Sequence, residues 1–247
     1  MIIIPDIHGR SFWKTAVKQA SAGETIIFLG DYLDPYPQER IKIEDAIDNF
    51  KEIMQFKDEN FENVILLLGN HDWHYINHSL CGGRMANYAT AKQIKEMIEN
   101  NKHLFSFIYH TEINNKIYLF SHAGMMRKWI DVEYYPIYDN RDYQKLLNKI
   151  EQDFISESLH DFSSKLTEIS YYRGGMHEFG SPIWADANEQ KYNDIPDNIY
   201  QIFGHTQLYT EHIDENYACL DCRDAFRLDE SSGKITKITD EDYMKHK

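Results

Sequence analysis

Three short apolar segments in the first third of the chain constrain the fold more than any other feature. They are IIIP at residues 2–5, TIIFLG at 25–30 and NVILLLG at 63–69, and each ends at glycine or proline. Continuous apolar runs of this length are typical of strands buried on both faces, as in a parallel sheet covered by helices. Helical patterns separate them, at 11–20 after the N-cap candidate Ser11 and at 43–54. The order strand, helix, strand, helix, strand predicts an α/β fold.

The rest of the chain mixes both kinds of element. Residues 88–100 and 141–168 have helical character, and 198–206 and 217–222 are predicted strands. Residues 103–113 and 115–124 predict two strands joined through Asn114-Asn115, a suitable hairpin turn. The glycine-rich segment 173–182 is a predicted loop. We expect a single domain over residues 1–238 with a charged tail at 239–247.

Composition excludes several function classes. The chain has 247 residues, enough for a sizeable core, and a formal net charge of -14. That charge argues against broad binding to nucleic acid or to an anionic membrane. Three cysteines do not form a disulfide framework, and no apolar run approaches the ~20 residues of a membrane span. We therefore expect a soluble cytoplasmic protein with no membrane partner; the oligomeric state stays open.

Polar residues follow five of the predicted strands. They are Asp6 and His8, then Asp31 and Asp34, then Asn70, His71 and Asp72, and later His122 and His205. Ligands of open α/β sheets bind at the carboxyl ends of the strands. Side chains two apart on an extended segment point to the same side, so Asp6 and His8 can converge on one point. An acid and an imidazole that converge indicate a metal site.

The order of these blocks resembles the calcineurin-like metallophosphoesterases, whose pattern is DxH, GDxxD, GNH(D/E), (S/G)H and GHx. All five stand here, between residue 6 and about residue 207. GDYLD and SPIWAD resemble blocks of the phosphoprotein phosphatase branch. Gln207 stands where nucleases and phosphodiesterases of the family usually have a second histidine. The resemblance implies a sandwich of two mixed β-sheets flanked by α-helices, with the metals at one edge.

The resemblance also implies two divalent metal ions per chain and a ligand set. Asp31 would bridge the two ions, Asp6 and His8 would complete one site, and Asn70, His122 and His205 would complete the other. Mixed nitrogen and oxygen ligands suit Mn, Fe or Zn, of which we favour Mn. Two such ions clamp phosphate oxygens and lower the pKa of a bound water. The implied reaction is direct attack of a metal-bound hydroxide on a phosphate ester.

Two further roles concern proton transfer and substrate binding. His71 follows Asn70 directly, so its side chain points away from the metal that Asn70 binds, which favours a general acid. Asp34 is either the partner of His71, as the family pattern implies, or a surface acid; we favour the partner. Pro35 stands where the phosphatases carry a phosphate-binding arginine.

Another cation must then hold the phosphate. Arg173 is the first candidate; the alternative, which we favour less, is a surface arginine in a mobile loop. Arg84 and Arg127 are weaker candidates. Cys219 and Cys222 form a CxxC, but on a strand this odd spacing places them on opposite faces, so we expect core and surface thiols rather than a zinc or redox site.

We expect a phosphatase that hydrolyses phosphomonoesters, either phosphoproteins or small phosphorylated molecules. The alternative is a hydrolase of dinucleoside polyphosphates such as diadenosine tetraphosphate. A non-catalytic scaffold would lack metal ligands, and none of those implied is missing. A nuclease is disfavoured by Gln207 and by the acidic charge.

Overall fold

The computed structural model describes residues 1–76, 87–135, 142–156, 165–192, 195 and 198–238. The chain divides into two compact units. Unit 1 comprises Met1–Phe105 and Cys222–Lys247, and unit 2 comprises Ser106–Asp221. The expected single domain over residues 1–238 stays a prediction, and the tail at 239–247 lies outside the described residues.

Unit 1 is built on a mixed sheet whose central strands are parallel. The strands are β1 (Ile2–Ile4), β2 (Ile26–Phe28), β3 (Val64–Leu67), β4 (Phe105–Ser106, ending on the first residue of unit 2), β10 (Phe226–Leu228) and β11 (Ile235–Lys237), in the order β11-β10-β1-β2-β3-β4. Strand β1 pairs in parallel with β2, and β2 with β3. Strands β10 and β11, which the sequence patterns did not reveal, extend the sheet in antiparallel pairing. The three apolar runs are therefore parallel buried strands, as predicted.

Helices accompany these strands. They are α1 (Trp13–Val17), α2 (Ile43–Glu59), α3 (Asn70–Ile76) and α4 (Tyr88–Asn100). Helix α2 buries the apolar residues that predicted it, among them Ala46, Phe50 and Ile53. Helix α1 is shorter than the predicted 11–20 and begins after Phe12 rather than Ser11. It buries only Trp13 and Ala16, an apolar face too small to support further turns.

The described residues of unit 2 form the second mixed sheet and two α-helices. Its strands are β5 (Tyr109–Ile113), β6 (Lys116–Phe120), β7 (Ile199–Phe203), β8 (His212–Ile213) and β9 (Tyr217–Cys219), in the order β5-β6-β7-β9-β8. Strands β5 and β6 form the predicted hairpin, and both turn residues have positive φ, 52° at Asn114 and 62° at Asn115. This is the conformation that asparagine tolerates in tight hairpin turns. The helices are α5 (Arg127–Glu133) and α6 (Tyr143–Ser156).

The predicted strand over 103–113 is interrupted. The backbone N–H groups of Phe107 and Ile108 donate to Glu151 Oε2 at 3.0 and 3.1 Å, so a side chain from α6 takes the place of a neighbouring strand. Despite such local differences, two mixed sheets flanked by helices confirm the predicted α/β class.

Candidate active site

The loops that follow β1 and β2 bring three buried side chains together in unit 1. Asp6, His8 and Asp31 each offer one ligand atom, and these atoms lie within 4.8 Å of one another. His8 Nε2 is 3.6 Å from Asp31 Oδ2. Because β1 and β2 are parallel neighbours, their carboxyl ends meet at the same edge of the sheet. The predicted convergence of Asp6 and His8 is confirmed, with Asp31 as a third member.

The protonation state of His8 suits a metal ligand. Its Nδ1 lies 2.9 Å from the carbonyl oxygen of Leu33, so Nδ1–H donates to that carbonyl and Nε2 keeps its lone pair toward Asp31. Burial lowers the pKa of His8 to about 3, outweighing the opposite effect of Asp31. The imidazole is therefore neutral at physiological pH, the form that binds metals.

The backbone around these side chains is strained. His8 and Asp31 have φ values of 44° and 53°, in the left-handed region that non-glycine residues rarely adopt. Such strain persists only where the surrounding structure holds it, and it is concentrated at functional sites. Gly69 approaches so closely that a Cβ on it would overlap the carboxylate of Asp31. Only glycine can therefore stand beside this carboxylate.

Asp72 joins the loop after β2 to the loop after β3 through hydrogen bonds to their backbones. Its Oδ2 accepts from the backbone N–H of Asp31 at 2.8 Å and of Gly69 at 2.9 Å, and its Oδ1 accepts from Tyr32 N–H at 2.9 Å. Burial and the nearby Asp31 raise the pKa of Asp72, and these three hydrogen bonds lower it in part. The sequence shows Asp72 only as an acid beside His71; its role in holding two loops depends on tertiary contacts.

His71 and Asp34 form a pair, as predicted. His71 Nδ1 lies 2.8 Å from Asp34 Oδ2, and the backbone N–H of His71 donates to Asp31 Oδ1 at 2.9 Å. Asp34 is fully buried, so the interpretation of it as a surface acid is wrong. Its other oxygen, Oδ1, accepts a short hydrogen bond from the Tyr75 hydroxyl. Tyr75 is a residue that the motifs did not indicate, because it lies one helical turn beyond the GNHD block.

Asn70 begins α3 and is buried directly beside this pair. His74, one turn further along the same helix, has its ring centroid 5.3 Å from that of His71. Asp34, His71 and His74 bring ligand atoms within 4.8 Å of one another. The strain at Asp34, whose φ is 60°, again marks this loop as functional.

Unit 2 contains two histidines that are in contact with each other. His122 follows β6 and His205 follows β7, which are parallel neighbours. His122 Nε2 lies 3.1 Å from His205 Nδ1. Two imidazole nitrogens each about 2.0–2.1 Å from one ion lie at such a separation. The loops are tied together by a hydrogen bond from Gly204 N–H to the His122 carbonyl at 2.8 Å.

The SPIWAD block supports both histidine loops. Ala123 N–H donates to the Pro182 carbonyl at 2.7 Å, next to His122. Ala187 N–H donates to Thr206 Oγ1 at 3.0 Å, next to His205. The Trp184 and His205 rings meet edge to face with centroids 5.9 Å apart. This block therefore positions the two histidines.

Arg173 contacts the loop that carries His205. Its Nε is 2.9 Å from Asp186 Oδ2, and its Nη2 donates to Thr206 Oγ1 at 2.8 Å. A longer contact of 3.4 Å joins Nη2 to the carbonyl of His205. Arg173 ends the 3₁₀ turn Tyr171–Arg173 rather than beginning an irregular loop, and Asp186 neutralises part of its charge.

The structure supports neither of the other two arginine candidates for phosphate binding. Arg127 begins α5 and pairs with Asp131 on the exposed side of that helix at 3.1 Å. Arg84 lies outside the described residues. The two cysteines of the CxxC are both buried, so the expectation of a surface thiol is wrong: Cys219 ends β9, but Cys222 lies beyond the strand, where strand alternation no longer applies.

The donor set of unit 1 fits a divalent transition metal. Asp6 and Asp31 are buried carboxylates, and His8 presents a neutral imidazole nitrogen toward Asp31. Buried acids at this spacing repel one another and are stabilised by a bound cation. Borderline ions such as Mn, Fe and Zn accept this mixture of oxygen and nitrogen.

Comparison with known proteins agrees with this chemistry. Residues 1–209 match the family described as calcineurin-like phosphoesterase. The chain belongs to the calcineurin-like phosphoesterase family. Its members are metal-dependent phosphoric ester hydrolases, so the chain is an enzyme of this class. A comparison with curated proteins gives no significant match.

Solved structures share the calcineurin-like fold. A cold-active protein tyrosine phosphatase is 15% identical, with a TM-score of 0.58 over 96% of this chain and 77% of that one. A cold-active protein-tyrosine phosphatase from a psychrophilic Shewanella species is 15% identical, with a TM-score of 0.54; the match covers 96% of this chain and 80% of that one. A protein serine/threonine phosphatase from Saccharomyces cerevisiae is 14% identical, with a TM-score of 0.50; the match covers 89% of this chain and 65% of that one. At these identities the likeness concerns the fold alone. In the described part of the chain, no helix is long and apolar enough to cross a membrane.

Proposed function

We propose that this phosphoesterase is a dinuclear-metal phosphatase that hydrolyses phosphomonoesters. The observation that carries the proposal is the pairing of His71 with the buried Asp34, in which the His71 backbone N–H donates to the metal-ligand candidate Asp31. A proton donor next to a metal ligand suits ester hydrolysis, because a poor leaving oxygen departs more readily when it is protonated.

The ligand assignment rests on the family pattern. We propose that Asp31 bridges two ions, that Asp6 and His8 complete one site, and that Asn70, His122 and His205 complete the other. The contacts within unit 1 and the contact between His122 and His205 support the two halves of this assignment. The neutral Asn70 amide keeps the site less negative, which favours an anionic substrate.

The chain's own groups have separate tasks in the reaction. When bound, the metals supply charge that polarises the phosphoryl group and activates water. Asp34 accepts at Oδ2 from His71 Nδ1–H and stabilises the doubly protonated imidazolium, whose Nε2–H supplies the proton that passes to the leaving oxygen. Tyr75 donates to the second oxygen of Asp34 and restrains the carboxylate. Asp72 holds the loops of Asp31 and Gly69 together by accepting a backbone hydrogen bond from each.

The preference for monoesters is proposed from two residues. Gln207 stands where diesterases and nucleases of the family usually have a second histidine. Arg173 presents a guanidinium fork that Asp186 and Thr206 hold in place. A monoester dianion offers two free terminal oxygens to such a fork. The solved neighbours named as protein phosphatases support including phosphopeptides among the substrates tested.

The experiment is a substrate panel run on metal-free protein reloaded with Mn, Fe or Zn in turn. The panel contains para-nitrophenyl phosphate, its bis-ester, a phosphotyrosine peptide, a phosphoserine peptide and diadenosine tetraphosphate. We expect the monoesters to be hydrolysed with the highest kcat/KM and Mn to give the highest activity. Preference for diadenosine tetraphosphate or for the bis-ester would overturn the proposal and leave the family membership intact.

A further inference from the structure

A cationic and aromatic cluster lies in unit 1 next to the metal-ligand candidates. We call it the Tyr36 cluster; it consists of Tyr36, Arg10, Glu39 and Arg223. The Tyr36 ring meets the ring of His8 edge to face, with centroids 4.8 Å apart. The guanidinium carbons of Arg10 and Arg223 lie 5.5 and 5.9 Å from the centroid of Tyr36. Both separations are within the range of cation–π attraction.

Arg10 is the inner, fixed cation of the cluster. Its Nε donates to Glu39 Oε1 at 3.0 Å and to Oε2 at 3.1 Å, and its Nη2 donates to Oε1 at 2.8 Å. Its Nη1 donates to the backbone carbonyl of Asp6 at 3.2 Å. These bonds tie the 3₁₀ turn Pro37–Glu39 to the loop that carries Asp6, so Arg10 has a structural task.

Arg223 is the outer cation. Its Nη2 lies 3.6 Å from Glu39 Oε1, a longer contact than any that Arg10 makes with the same carboxylate. Its side chain is 37% exposed, against 12% for Arg10. The residue has a φ of 66°, so the backbone is held in the left-handed region as it is at His8 and Asp31.

The more exposed cation and the ring define the ligand. Arg10 and Arg223 approach the same carboxylate, and Arg223 makes the longer contact and has the more exposed side chain. The Tyr36 ring contacts both Arg223 and His8. A guanidinium beside an aromatic ring suits an anion that is carried on another aromatic ring. Resting on the proposed phosphatase function, we propose that Tyr36 and Arg223 form a subsite for the leaving group: the subsite selects phosphomonoesters whose aromatic leaving group carries a second anionic substituent.

The test is a binding measurement on the metal-loaded protein, which needs no turnover. Isothermal titration calorimetry compares benzyl phosphonate with 4-carboxybenzyl phosphonate, which extends the ligand by a carboxylate beyond the ring. We expect the wild type to bind the carboxylated ligand about tenfold more tightly. Arg223→Gln should bring this ratio to about one and leave the affinity for benzyl phosphonate unchanged, because only the second anion contacts Arg223.

Arg227 offers a matched control. It is also 37% exposed and also pairs with a glutamate, Glu24, at 3.6 Å, but it lies on β10 and makes no contact with Tyr36 among those described. Arg227→Gln should keep the wild-type ratio. Tyr36→Leu should weaken both phosphonates by several-fold, whereas Tyr36→Phe should keep both affinities because the ring remains.

The outcomes separate the two proposals. If both phosphonates bind equally to the wild type, or if Arg223→Gln leaves the ratio unchanged, the subsite is wrong and the phosphatase proposal stands. If neither phosphonate binds to metal-loaded wild type, the phosphate site itself is wrong and the subsite falls with it.

Discussion

His71 Nδ1 lies 2.8 Å from Asp34 Oδ2, and this carboxylate has no exposed surface. A buried carboxylate that accepts from Nδ1–H stabilises the doubly protonated ring, in which Nε2–H is the group that we propose transfers a proton. The backbone N–H of the same histidine donates to Asp31 Oδ1 at 2.9 Å, so the proposed proton donor is hydrogen-bonded to a metal-ligand candidate.

His71→Ala should keep the metals and lower turnover most for substrates with poor leaving groups. An alkyl phosphate should lose roughly 10²-fold in kcat or more, and para-nitrophenyl phosphate much less, since its leaving group departs without a proton. His212→Ala, which removes an exposed imidazole, is the control. Equal losses for alkyl and aryl phosphates would assign His71 to the metal site instead.

Tyr75→Phe should lower kcat about tenfold and leave KM and metal content unchanged. The change removes the hydroxyl that restrains Asp34 and keeps the ring volume, and one hydrogen bond to a charged group contributes roughly 1.5–3 kcal/mol. Tyr32→Phe is a matched control, because Tyr32 is equally buried and its hydroxyl donates to the Leu67 carbonyl at 2.8 Å. An equal fall in kcat in both variants would show that Tyr75→Phe acts through the stability of the fold and not through Asp34.

Asp72→Asn should destabilise unit 1 by about 3 kcal/mol, measured by urea unfolding. The amide nitrogen would face one of the three backbone N–H donors that the carboxylate accepts. Asp229→Asn is the control, because Asp229 also accepts several hydrogen bonds but stands at the surface. Unfolding at the same urea concentration as the wild type would show that Asp72 does not hold the two loops.

Much of this site was predictable from the sequence because its residues follow apolar strands directly. Asp6, His8 and Asp31 converge since β1 and β2 are parallel neighbours, and parallel pairing was already indicated by the continuous apolar runs. The hairpin at Asn114-Asn115 was predictable for an equally local reason, since both residues tolerate positive φ.

Other features depend on contacts between distant segments. Tyr75 reaches Asp34 across 41 positions in the chain, and Arg223 reaches Glu39 only because β10 pairs with β1. Strands β10 and β11 carry little apolar pattern of their own, and their pairing supplies what the local sequence lacks. The partners of Arg173 likewise come from two separate blocks, so its fixed geometry could not be read from the RGG loop.

Arg173→Lys should lower kcat/KM for monoesters by tens-fold, on the order of 2 kcal/mol, because a point charge cannot reproduce the guanidinium fork. The bis-ester, with a single charge, should lose less. Arg127→Lys, at an exposed pair with Asp131, is the control and should have little effect. Unchanged monoester efficiency in Arg173→Lys would exclude Arg173 as the phosphate clamp.

The count of metal ions per chain tests the central claim most directly. Wild type and Asp31→Asn are dialysed against Mn²⁺, and the bound metal is measured by plasma emission, with Asp48→Asn, an exposed acid, as the control. We expect two ions per chain in the wild type and in Asp48→Asn and none retained in Asp31→Asn, because the change removes the charge proposed to bridge them. One ion per wild-type chain, or two retained in Asp31→Asn at wild-type affinity, would contradict the dinuclear site.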